Sequence, residues 1–109
     1  MLAREHRIVE GAEFIRVLRK GRKAGSAHFL VSSVGNTAGV TRVGFLVNKK
    51  VGNAVTRNLV RRRLQALAQE VLVDGGAGAK DVVVKAQVGA GDLSWDEVRG
   101  ELLKVLRKV

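Results

Sequence analysis

The stretch Lys49-Lys50-Val51-Gly52-Asn53-Ala54-Val55-Thr56-Arg57-Asn58-Leu59-Val60-Arg61-Arg62-Arg63 sets six cations and two asparagines around a glycine turn and the start of a helix, with no acidic residue among them. Asn53, directly after Gly52, has the side chain of an N-cap. From Val55 to Val73 the apolar residues Val60, Leu64, Leu67 and Val71 recur at spacings of four and three, which predicts one long helix facing a core. Arg57 and Arg61 are i, i+4 neighbours, as are Asn58 and Arg62, so the long polar side chains rise in rows away from that stripe. A helix start supplies free backbone N–H groups and a positive dipole end, and guanidinium forks match phosphate oxygens. Lys49, Lys50, Gly52, Asn53, Arg57, Asn58, Arg61 and Arg62 are therefore the candidate residues for binding a polyanion.

The elements on either side predict what holds this segment. Upstream, Val40 to Val47 reads as a strand, with Val43, Phe45 and Val47 on one side and Arg42, Gly44 and Leu46 on the other. Before it, Ala27 to Val34 has strand composition. Whether Ala24 to Val34 is one strand or two paired pieces stays open, and Arg22-Lys23 reads as a basic turn. Glu10 to Lys20 is a short helix striped by Phe14, Val17 and Leu18 and ended by Gly21. Downstream, Asp74 to Gly78 is a turn, and Val82-Val83-Val84 within Asp81 to Ala86 suits a strand buried on both faces. Ser94 and Glu97 form a capping-box pattern at the start of a last helix, whose stripe is Trp95, Val98, Leu102, Val105 and Leu106. Trp95 is assigned to that apolar stripe, as a packing residue. The order α-β-β-β-α-β-α predicts an α+β two-layer sandwich in one domain spanning residues 1–109.

Charge is segregated along the chain. The 109 residues carry a net charge of +10, yet Phe14 to Gln69 contains no Asp or Glu and twelve cations; the remaining residues hold eight cations against ten acids. One-signed segregation suits a surface that tracks phosphates and releases their counterions. Hydrophobic residues at 46% are ordinary for a folded protein. The chain has no cysteine, no signal-peptide pattern and no apolar run of about 20 residues, so a soluble protein of the cytoplasm is expected, without a membrane. Its two histidines, His6 and His28, lie far apart, and the basic half has no carboxylate. Self-contained catalysis and a protein-held metal are not expected. His28 reads as a strand residue with no special role. A structural RNA binder of ribosomal-protein type and a DNA-binding helix are both compatible with this composition.

The segment from Lys49 to Arg62 resembles the signature of the bacterial ribonuclease P protein subunit, in which a strand ending in two lysines leads through Gly-Asn-Ala-Val to an Arg-Asn helix. Arg7-Ile8, the Glu13-Phe14 helix ending at Gly21, Arg42-Val43-Gly44-Phe45, Val82-Val83-Val84 and Leu93-Ser94 extend the resemblance along the chain. It implies a central, mostly antiparallel sheet of about four strands, with a left-handed βαβ crossover through the helix from Val55. It also implies the small protein partner of a catalytic RNA that removes the 5′ leader of precursor tRNA. The RNA would supply the active site and, with the substrate, hold Mg2+; no obligate protein partner is implied. The Arg57-Asn58 helix would face the catalytic RNA, and a cleft carrying Phe14, Leu18, Ser32 and Arg16 would receive the leader. Leu18 and Ser32 stand where the family often has aromatics, Leu59 and Gln65 where it commonly has Arg, and Gln87 where a basic residue often follows Ala.

Overall fold

The computed structural model describes residues 2–109. Its elements are α1 (Gly11–Lys20), β1 (Arg22–Gly25), β2 (Phe29–Gly35), β3 (Arg42–Leu46), α2 (Ala54–Ala68), β4 (Lys80–Ala86) and α3 (Trp95–Leu106). The strands form one sheet in the order β1-β2-β4-β3. β1, β2 and β4 pair antiparallel, while β3 and β4 are parallel neighbours joined through α2. Val82-Val83-Val84 thus lies in an interior strand, in agreement with its unbroken apolar reading.

The pleat divides the sheet into two unlike faces. Val31, Val43, Val82 and Val84 face Val60, Leu64 and Leu67 of α2 and Val98, Leu102 and Val105 of α3, all at most 3% exposed, and make the main core. On the other face Val83 meets Ile8 and Val17, with Phe14, Leu18, Val34 and Leu46 partly buried around them. That smaller cluster seats α1. Gly44 makes room for it: a Cβ there would stand 2.5 and 2.6 Å from the Phe14 ring and 3.2 Å from the Ile8 Cβ.

Several sequence expectations change in the structure. Arg22-Lys23 is not a turn but the start of β1, paired with Ser33 and Ser32 of β2. The hairpin turns through Ser26 to His28, which settles the 24–34 segment as two paired pieces. The long helix does not run unbroken to Val73: after Ala68 it widens into a π turn, Gln69–Val73, in which Asp74 N–H donates to Gln69 O at 2.8 Å. One residue is absorbed there, so Leu72 rather than Val71 enters the core, in step with Ala68. The capping box at Ser94 forms as expected, with Ser94 N–H donating to Glu97 Oε1 at 2.9 Å and Glu97 N–H to Ser94 Oγ at 3.2 Å. Trp95 departs from its predicted place. As the first residue of α3 it lies one turn before Val98 and stays 38% exposed.

α1 is also held by charge. The Asp81 side chain is wholly buried and accepts from Arg42 Nε at 2.9 Å, Arg42 Nη2 at 2.8 Å, Asn36 Nδ2 at 2.7 Å and Arg16 Nη2. Arg42 pairs as well with Glu13 of α1. Burial by itself would raise the Asp81 pKa, but hydrogen bonds from Arg42 and Asn36 and the charges of Arg42 and Arg16 outweigh it and hold the carboxyl below its ordinary 3.8. The hydrogen bond to Asp81 in turn raises the Arg42 guanidinium.

Two outcomes follow from this packing. Gly44→Ala should lower unfolding free energy by about 1–3 kcal/mol in denaturant titrations, because Phe14 and Ile8 must both give way. A depressed carboxyl contributes stability that is present above the unfolded pKa and lost as pH falls through the folded one. Unfolding midpoints should therefore drop steeply as pH falls below 3.8, the ordinary carboxyl value. Asp81→Asn should flatten that acid limb while costing about 3 kcal/mol at neutral pH, the scale for one partner removed from a buried pair.

Candidate nucleic-acid interface

The loop into α2 is built by short-range hydrogen bonds. Asn48 Oδ1 accepts from Lys50 N–H at 3.0 Å, which closes the single 3-10 turn Lys49–Val51 and leaves both lysines exposed while Val51 anchors in the core. Gly52 has φ +154° and a Cβ there would meet Thr56 at 2.9 Å, so the chain reverses at a position suited to glycine. Asn53 then caps α2, its Oδ1 accepting from Thr56 N–H at 2.9 Å.

Beyond the cap, the basic side chains divide by what they touch. Arg61 donates to Asn58 Oδ1 at 3.1 Å and to Val47 O at 3.3 Å, which orients its guanidinium across the end of β3. Arg57 is half-buried, and its enclosed Nε has no hydrogen-bond partner within the protein. Arg62 projects into solvent. Arg63 does something else: it donates to Leu93 O at 2.7 Å and ties α2 to the loop before α3. Among the described residues none of the six cations between Lys49 and Arg63 meets a carboxylate. The side of α2 away from the sheet thus keeps an uncompensated positive field.

The opposite face of the sheet carries a second basic surface. Beyond α1, a cleft of about 420 Å³ is bordered by Leu30, Asn48, Lys50, Lys85 and Gln87. Lys85 stands opposite Leu30 in the register, and Lys23 stands opposite Ser32 one row away. Neither lysine has a carboxylate partner among the described residues. Phe14 and Arg61 line a common hollow at the outer edge of β3, where the two basic surfaces approach each other.

The four cleft residues expected from the sequence do not all reach this surface. Phe14 and Leu18 are half-buried on the sheet-facing side of α1. Ser32 is only 1% exposed, and its Oγ is enclosed without a partner, so it presents nothing to a ligand. Arg16 is spent on Asp81. Lys23 and Lys85 were not singled out by sequence reasoning; the cue that could have found them was strand alternation, which sets Lys85 on the face of Val83. His28 is another departure. Its N–H donates to Glu101 Oε2 at 2.8 Å and its Nδ1 lies 2.8 Å from Oε1, so it braces the β1–β2 turn against α3. Burial would raise Glu101, but bonds from Ser26 and His28 lower it overall. No group of three or more His, Asp or Glu side chains among the described residues is placed to hold a metal ion.

Comparison with known proteins agrees with this geometry. The Ribonuclease P family model matches residues 2–109. The ribonuclease P protein component of Clavibacter michiganensis is 38% identical over 109 residues, covering 99% of this chain and 96% of that one. That of Kocuria rhizophila is 42% identical over 98 residues, covering 90% and 86%. The Staphylococcus aureus RNase P protein structure superposes with a TM-score of 0.86 at 31% identity, over 94% of this chain and 93% of that one. The Thermotoga maritima RNase P protein shares the fold, with a TM-score of 0.81 at 22% identity over 94% and 96% of the two chains. A turn carrying two lysines, a glycine and an asparagine-capped basic helix thus sit in a shared fold, and the chain belongs to the ribonuclease P protein family, the protein component of the ribonucleoprotein endoribonuclease that processes the 5′ end of tRNA.

Proposed function

We propose that the chain acts as one RNA-binding domain in the cytoplasm with two separate RNA surfaces. Lys49, Gly52, Asn53, Arg57, Asn58, Arg61 and Arg62 at the start of α2 dock the catalytic RNA. The cleft beside α1 takes the single-stranded leader of precursor tRNA, through Phe14, Leu18, Lys23, Lys50 and Lys85. The observation that carries this reading is the row of cations on α2 with no carboxylate partner among the described residues. Because Lys50 borders the cleft, it is read as part of the substrate surface.

In this reading the protein contributes positioning and charge. It lowers repulsion between two polyanions, aligns the leader, and leaves the cut to the RNA. Magnesium, held by RNA phosphates, supplies an activated water and charge neutralisation when bound. With Leu18 and Ser32 in place of aromatics, the leader is held mainly by its backbone charge rather than by stacked bases.

Reconstitution with the cognate catalytic RNA tests both surfaces. Arg57→Ala and Arg61→Ala should each weaken binding to that RNA and reduce the slope of log K against log salt by about one unit; an unchanged slope in both would mean that α2 faces elsewhere. Lys85→Ala should weaken only substrates with a leader, again with a slope change of about one. Exchanging leader bases at constant length should change affinity by less than the ~1–3 kcal/mol that one stacking platform provides, and a larger change would restore stacking as the main contact.

A further inference from the structure

The Asp81 network is more than a salt bridge in a corner of the fold. Its carboxylate is fully enclosed and accepts four hydrogen bonds, two at each oxygen, so its capacity is filled. The donors come from three directions. Asn36 belongs to the loop after β2, Arg42 to β3 and Arg16 to α1. Arg42 then reaches back to α1 through Glu13, one turn before Arg16. α1 is therefore gripped at two points that converge on one carboxylate, and two attachments a turn apart restrict rotation about the helix axis as well as sliding along it.

We propose that Asp81 is a positioning residue for the substrate side of the protein, holding α1 at the rotation that seats Phe14 and Leu18 on the sheet, where they flank the proposed leader surface. Glu13 and Arg16 flank Phe14 and Val17 on the helix, so a few degrees of roll moves the ring. The apolar contacts under α1 cannot set that roll alone. Val17 is the helix's one fully buried residue, and dispersion contacts carry little directional preference. The outer face of α2 does not depend on this anchor: it is fixed by the Asn53 cap, the Arg61–Val47 bond and the main core on the other side of the sheet. Asp81 should thus matter for the leader and not for the catalytic RNA. The inference rests on the cleft taking the leader.

The test uses the holoenzyme reassembled with its catalytic RNA and two ligands, precursor tRNA with a long single-stranded leader and the same tRNA without one. The ratio of their dissociation constants is the gain due to the leader. Asp81→Asn keeps the shape of the side chain but turns an amide toward two guanidinium groups. It should cut the leader gain by about fivefold, the low end of what one stacking contact provides, and leave the affinity for the catalytic RNA unchanged. A proportional loss of both affinities would show a general weakening of the fold and overturn the proposal, as would a leader gain equal to wild type. No leader gain in the wild-type holoenzyme would instead remove the cleft reading, and this inference with it. If Asp81→Asn fails to fold by circular dichroism, Arg16→Gln takes its place. That variant cuts the strut from α1 while keeping the Arg42–Asp81 pair, and the same ratio decides: a selective loss supports the proposal, and a proportional loss or none overturns it.

Discussion

A carboxylate shut away from water between two guanidinium groups is the constraint on which the α1 side of this protein depends. α1 has ten residues, fewer than an isolated helix needs to persist in water, so it exists only as far as it docks. Its apolar seat is small: Ile8, Val17 and Val83 are the buried members, against eighteen in the cluster on the other face. Replacing buried ion pairs by apolar residues is often neutral or stabilising, so Asp81, Arg16, Arg42 and Glu13 need not be read as a source of net stability. Their distinctive contribution is direction. Removing Asp81 would strip both guanidinium groups of their shared partner, whereas removing Arg16 leaves the Arg42–Asp81 pair in place.

The α2 side follows a different logic. α2 is long and packs Val60, Leu64 and Leu67 into the main core, so its orientation is over-determined by burial. Its polar side is then free to collect charge without risk to the fold. Arg61 is pre-oriented by Asn58 and Val47, which removes part of the side-chain entropy that a long cation otherwise loses on binding. Arg63 shows the limit of reading charge as function, since one of the six cations serves as a brace to Leu93.

What could be read in the sequence divides along the same line. The element order, the Asn53 cap, the Ser94–Glu97 box and the α2 core stripe depend on local periodicity and short-range hydrogen bonds, and they were legible. Trp95 was misplaced because the stripe was extended one turn beyond the sheet's reach. Val71 gave way to Leu72 because a π turn leaves no mark in the apolar pattern. The Asp81 network joins positions 13, 16, 36, 42 and 81 through the register of β3 with β4, in which Arg42 pairs with Asp81. Nothing local marks it. Ser32 and Arg16 were assigned to the cleft by resemblance, and only packing shows that one is covered and the other engaged.

These two kinds of attachment make the two proposed RNA surfaces separable. The sheet stands between the main core and the α1 cluster, and the surfaces approach each other only at the edge of β3, where Arg61 and Phe14 line one hollow. Changes in the α1 seat need not disturb the face set by α2, because no ion pair among the described residues links the two helices. Charge also suits the substrate side on physical grounds. In the proposed reading, lysines at 23, 50 and 85 would meet a phosphate backbone that is the same in every leader, whereas aromatic platforms respond to stacking strength and backbone flexibility that vary with sequence. A face built from flexible cations, beside a helix whose roll is fixed, can accept leaders of differing sequence while still presenting them along one line.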